Sequence, residues 1–126
     1  MPLADAVKSI VDRLLGRRAP VVNVLRLTGV IGRAGPVRGI GLTLDGQERA
    51  IERAFRGRRL AAVALAINSP GGAPVQCDLI ARRIREAADK RMVPVIAFAE
   101  DIAASGGYWL ACAADEIYAS PSSIIG

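Results

Sequence analysis

The sequence predicts an α/β fold on a parallel sheet built from repeated β-α-β units, and three features carry that prediction. Residues 61–67 and 93–99 are apolar runs of strand length, the pattern of strands buried on both faces. Each run ends in a glycine turn, Asn68-Ser69-Pro70-Gly71-Gly72 and Ala103-Ala104-Ser105-Gly106-Gly107. Each turn leads into helical periodicity, so strand, glycine turn and helix occur twice. Right-handed crossovers are expected between parallel neighbours.

Residues 1–20 place Leu3, Ala6, Val7, Ile10, Val11, Leu14 and Leu15 at helical spacing, with Lys8, Arg13, Arg17 and Arg18 as the basic complement. This is a basic amphipathic helix set apart from the body formed by residues 21–126. Its stripe suits docking on its own domain or on a sister subunit, and the second reading is contact with a membrane surface through residues 3–18. Asp5, Lys8, Asp12 and Arg13 interrupt the apolar residues, so no signal-peptide or membrane-spanning length is reached.

Residues 21–27 are β-branched and read as a strand, followed by a glycine-rich connection through Gly29, Gly32, Gly35 and Gly39. Asp45 with Glu48 three residues on is a cap-and-reach-back pattern, and Ala50, Ile51, Ala54 and Phe55 give the short helix after it an apolar face. Val75, Leu79, Ile80, Ile84, Ala87 and Ala88 mark the inner face of the helix after the first glycine turn, with Arg82, Arg83, Arg85, Glu86 and Asp89 opposite. The second turn runs into a helix over 108–114, then a short strand over 115–119 closed by Pro121.

A chain of 126 residues suits one compact domain or part of one. With 52% hydrophobic and 4% aromatic residues, its core must be built from Ala, Val, Ile and Leu. Seventeen Lys plus Arg against twelve Asp plus Glu leave +5, but the arginines are scattered and no aromatic residues are interleaved with them. That describes a solvated surface, not a nucleic-acid face. Cys77 and Cys112 form no CxxC pair and there is no histidine, so no metal site and no cofactor are expected and both cysteines read as small buried residues. Two cysteines without a secretory signal favour a reducing compartment, the cytoplasm, or the inner face of the membrane if residues 3–18 touch lipid.

Both glycine turns fall where a buried strand hands over to a helix, where free backbone N–H groups point at a ligand, and they should converge on one site. Ser105, between Ala104 and Gly106, is then a serine on a sharp turn that a carbonyl can approach, and the Gly106 N–H with one from Gly71 or Gly72 can hold an oxyanion. Spacing alone favours a plainer role, Ser105 as a helix N-cap with glycines that permit tight packing. Ser69 is the nearest rival serine, but Pro70 biases it toward an extended conformation. With no histidine in the chain, a Ser-His-Asp triad is excluded and a neutral lysine is the natural base. Lys8, on the N-terminal helix, and Lys90, beside Asp89 and Arg91, are the only lysines and neither is well placed.

Asn68–Gly72, Asp101–Tyr108, Ala113–Ala119 and Pro121–Gly126 resemble, in order and spacing, the successive motifs of the signal peptide peptidase A (protease IV) family, and Val24–Gly32 resembles its opening strand. The resemblance covers about residues 21–126. It implies a Clp protease/crotonase type fold, assembly into rings or smaller homo-oligomers, and cleavage of peptides, spent signal peptides among them, by a Ser-Lys dyad. By that resemblance Ser105 is the nucleophile and the amides of Gly71, Gly72 and Gly106 are the oxyanion donors. The family's lysine lies downstream of Gly126 and its pattern continues into another strand, so a partial chain, inactive by itself, is expected. Members often carry two tyrosines after the glycine pair, where Trp109 here follows Tyr108, and many have a membrane anchor that these residues lack. Small or aliphatic side chains are expected on the peptide, since Ala, Val, Ile and Leu surround the motifs. The alternatives are a crotonase-class acyl-CoA enzyme, which needs paired amides but no serine there, and a non-catalytic oligomeric scaffold.

Overall fold

The apolar runs become the centre of a parallel sheet. The computed structural model describes residues 2–16, 18–32 and 41–126; Arg17, Gly35, Arg38 and Gly39 lie outside the described residues. Strand β1 (Val21–Thr28) pairs β2 (Leu60–Ser69), β2 pairs β3 (Val95–Ala103), and β3 pairs both β4 (Glu116–Ala119) and β5 (Ile124–Ile125), every pairing parallel. Spatial order follows chain order. Helices α2 (Leu44–Ala54), α3 (Pro74–Arg91) and α4 (Gly106–Ala111) fill the connections, and α1 (Leu3–Leu14) precedes them.

Alternate strand residues Leu25, Leu27, Val63, Leu65, Ile67, Val95 and Ala97 share a core with Ile51 of α2, Ile80 and Ile84 of α3 and Leu110 of α4. Each large side chain buried there contributes about 1.5–3 kcal/mol. The other face departs from the sequence expectation of strands buried on both sides: Val22, Val24, Phe98 and Tyr118 are exposed. Ala62 and Ala64 are still buried because they pair with larger neighbours, Ala62 with Val22 and Ala64 with both Val24 and Ile96. An apolar run therefore reports small residues between bulky strands as well as a covering layer.

Helix boundaries show the same override by neighbours. The cap of α2 is Thr43, whose Oγ1 accepts from the Gly46 N–H at 3.1 Å, and Asp45 sits inside the first turn instead of capping it. The early start is supported from outside, since the Leu44 N–H donates to Gln76 Oε1 at 2.8 Å. In α3, Cys77, Ile80, Ala81, Ile84, Ala87 and Ala88 face the core, while Val75 and Leu79 are exposed. Val75 and Leu79 each lie two residues from Cys77, about 200° round the helix, so they cannot share its face. Cys77 is buried as expected, but Cys112, at the C-cap of α4, is exposed beside Trp109 and Arg85. Helix α1 buries none of its residues, which corrects the expectation that its stripe docks on its own domain.

The start of β3 is clamped by Asp115. Its N–H donates to the Val95 carbonyl at 2.8 Å, its Oδ2 accepts from the Val95 N–H at 2.7 Å, and its Oδ1 accepts from Arg85 Nη1 at 3.3 Å. Asp115→Ala is expected to cost about 1–3 kcal/mol, because the buried Val95 N–H loses its partner. A urea titration followed by Trp109 fluorescence checks this, and an unchanged midpoint would contradict it.

Candidate active site

Because β2 and β3 are adjacent and parallel, their C-terminal ends lie side by side and the two glycine turns meet. The Ala104 N–H donates to the Ser69 carbonyl at 3.1 Å. A Cβ on Gly71 would stand 2.7 Å from the Gly106 nitrogen and 2.9 Å from Ser105 Cβ, so the turns touch backbone to backbone. The convergence expected from the sequence is present.

Ser105 has φ 52° and ψ −120°, the geometry of the first central position of a type II′ turn, which normally requires glycine. Holding serine there costs on the order of 1–3 kcal/mol. The surroundings fix it: the Ser105 N–H donates to the Gly126 carbonyl at 2.6 Å, the Gly126 N–H to the Ala103 carbonyl at 3.1 Å, and the Trp109 N–H to the Ser105 carbonyl at 3.0 Å. Ser105 occupies the N-cap position of α4 but its hydroxyl makes no cap hydrogen bond, and the residue is exposed. The plainer N-cap role therefore does not account for it.

The following glycines are needed for close packing: a Cβ on Gly106 would run into Cys77 Sγ, and one on Gly107 into the Ser69 carbonyl. Burial pushes the Cys77 thiol above its usual range, so it stays a neutral packing group under the turn.

The three candidate amides differ. The Gly71 N–H donates to the buried Ser69 Oγ at 3.1 Å and is already committed. The N–H groups of Gly72 and Gly106 have no acceptor among the described residues, Gly106 being the first residue of α4. The amides left without an acceptor among the described residues are thus those of Gly72 and Gly106. Sequence reasoning missed the residues that hold them. The Ile31 N–H donates to the Gly71 carbonyl at 2.9 Å and the Ala73 N–H to the Ile31 carbonyl at 2.9 Å, fixing the glycine pair from the far side. Asn68 ties the strand ends together, accepting from the Ile102 N–H at 3.2 Å and donating to Asp101 Oδ2 at 3.1 Å. For Ile31, Asn68, Asp101 and Ile102 the sequence signal was membership of the quoted motifs, and Ala73 carried none.

Neither lysine reaches this edge. Lys90 is in the last turn of α3, just before β3 begins, and Lys8 lines a cleft with Ala19 and Arg59 at the start of β1 and β2. Ser105 lies beyond the other end of the nine-residue β3, about 30 Å away by strand rise.

Residues 87–126, which hold the serine turn, match the model of peptidase family S49. This stretch is similar in sequence to the S49 peptidases. Serine protease SPPA, chloroplastic, of Arabidopsis thaliana is 33% identical over 108 residues, 83% of this chain and 16% of that protein. Protease 4 of Haemophilus influenzae is 33% identical over 125 residues, 97% of this chain and 20% of that one. The Na(+)/H(+) antiporter NhaA of Brucella melitensis is 46% identical over 128 residues, 98% of this chain but 17% of that protein. The shared stretch is a small part of the antiporter, and among the described residues no helix is long and apolar enough to cross a membrane. The chain spans between about a sixth and a fifth of the length of these relatives.

Among solved structures, a membrane-bound stomatin-specific protease superimposes with TM-score 0.66 at 23% identity, covering 86% of this chain and 48% of that one. A chain assigned as an enoyl-CoA hydratase of Streptomyces coelicolor gives 0.52 at 22%, covering 84% and 46%. These likenesses show the fold, the Clp protease/crotonase α/β architecture that the sequence resemblance implied.

Proposed function

We propose that these residues form the nucleophile half of a serine peptidase site that works by a Ser-Lys dyad. The observation that carries the proposal is Ser105 itself, held at φ 52° on a turn that abuts Gly71, with no cap hydrogen bond from its hydroxyl and with the next amide, that of Gly106, lacking an acceptor among the described residues. The S49 match and the protease-named relatives support the peptidase class. In this reading Ser105 Oγ attacks the peptide carbonyl carbon as its proton passes to a neutral lysine amine. The carbonyl oxygen becomes an oxyanion held by the two amides. Collapse breaks the C–N bond, the lysine returns the proton to the leaving amine, and water then hydrolyses the acyl-serine. The lysine comes from outside residues 1–126, since Lys8 and Lys90 lie at the opposite end of the sheet. Extended peptides with small or aliphatic side chains, spent signal peptides among them, are the substrate class. The fold is shared with an enoyl-CoA hydratase, but paired amides acting on a thioester would not need a strained serine.

A fluorogenic peptide tests this. The 126-residue chain is expected to show no turnover, because an unactivated hydroxyl with oxyanion donors retains only residual activity, and a continuation carrying the lysine should restore cleavage. Turnover by the short chain that disappears on Lys8→Ala or Lys90→Ala would overturn the assignment of the base.

A further inference from the structure

We propose that α1 lies on an anionic lipid surface, with its apolar stripe in the boundary between headgroups and acyl chains. This does not rest on the peptidase reading. A helix docked on its own domain turns its apolar face inward, and α1 is reversed. Its polar side, with Asp5, Lys8, Asp12 and Arg13, lines a cleft of about 720 Å³ that Arg18 of the connection and Arg59 of the body complete. Its apolar side faces away: Leu3 and Leu14 are each 81% exposed, Ile10 55% and Val7 50%. The direction is anchored, because Arg59 Nη1 donates to the Ala19 carbonyl at 2.8 Å and the Val21 N–H to the Arg59 carbonyl at 2.9 Å, tying the connection after α1 to the start of β2.

Charge decides the occupant. At 3.6 residues per turn, Leu3, Val7, Ile10 and Leu14 span about 60° of arc, with Arg13 about 90° and Lys8 about 130° from its centre on either side. Asp5 and Asp12 lie at about 170°, almost opposite the stripe. Lys8, Arg13, Arg17 and Arg18 against Asp5 and Asp12 leave residues 1–18 with a charge of +2, and the two carboxylates lie on the side away from the stripe. A second copy pairing stripe to stripe would bring two segments of like sign together, +2 against +2. An anionic bilayer supplies the complementary charge.

Co-sedimentation of the chain with vesicles of equal parts phosphatidylglycerol and phosphatidylcholine tests the proposal against pure phosphatidylcholine vesicles. Binding to the anionic vesicles is expected to weaken on raising salt, by roughly tenfold or more on Ile10→Glu, and by about fivefold for each of Lys8→Gln and Arg13→Gln. Circular dichroism melts of these variants should match the parent, because no α1 residue is buried. Failure to bind anionic vesicles, or binding that Ile10→Glu leaves intact, would overturn the proposal. So would a dimer in sedimentation that Ile10→Glu dissociates without any vesicle binding, since the stripe would then belong to a second copy.

Discussion

Ser105→Ala, in a protease that contains these residues together with the lysine, is expected to lower kcat for peptide cleavage by roughly 10⁴-fold or more. Its folding stability should change by less than about 0.5 kcal/mol, because the hydroxyl makes no hydrogen bond among the described residues and alanine is as strained as serine at φ 52°. Ser105→Gly separates the two roles of this position. It should be equally inactive yet more stable by about 1 kcal/mol, since glycine adopts this conformation without the cost that serine bears. Kinetics and urea midpoints on the three proteins check both halves. An active Ser105→Gly enzyme, or one less stable than the parent, would contradict the site as described.

The second large effect concerns the contact between the turns. Gly71→Ala is expected to destabilise the fold by about 3 kcal/mol or more, because its methyl group would meet backbone atoms of Ala104 and Gly106 as well as Ser105 Cβ, at a φ of 101° that disfavours side chains. Gly57 provides the control. It also has a positive φ, 117°, but nothing lies within 4 Å of where its Cβ would be. Gly57→Ala should therefore cost only the backbone term, about 1 kcal/mol. Equal losses at the two positions would mean that the turns do not abut.

Much of the fold was legible in the sequence because it is written in residue types with few alternatives. Apolar runs of strand length mark the sheet and glycine pairs mark places where backbone approaches backbone, whereas spacing alone favoured an N-cap role for Ser105 and only the motif resemblance singled it out. What was not legible depended on neighbours distant in sequence. Thr43 and Asp45 are both good helix caps, and Gln76 on another helix supports the earlier start. Val75 and Leu79 look like core residues until the phase of α3 is set by Cys77 and Ile84. Gly71 and Gly72 look equivalent as donors until Ser69 Oγ takes the Gly71 amide. The outward direction of α1 depends on how its connection is tied to Arg59, and no periodicity records that.

The central claim is that Ser105 is an activated nucleophile. Labelling the lysine-containing protease with a fluorophosphonate and mapping the adduct by mass spectrometry tests it most directly. The expected result is a single adduct on Ser105 that disappears in Ser105→Ala. An adduct on Ser69, Ser122 or Ser123, or labelling that persists in Ser105→Ala, would contradict the account.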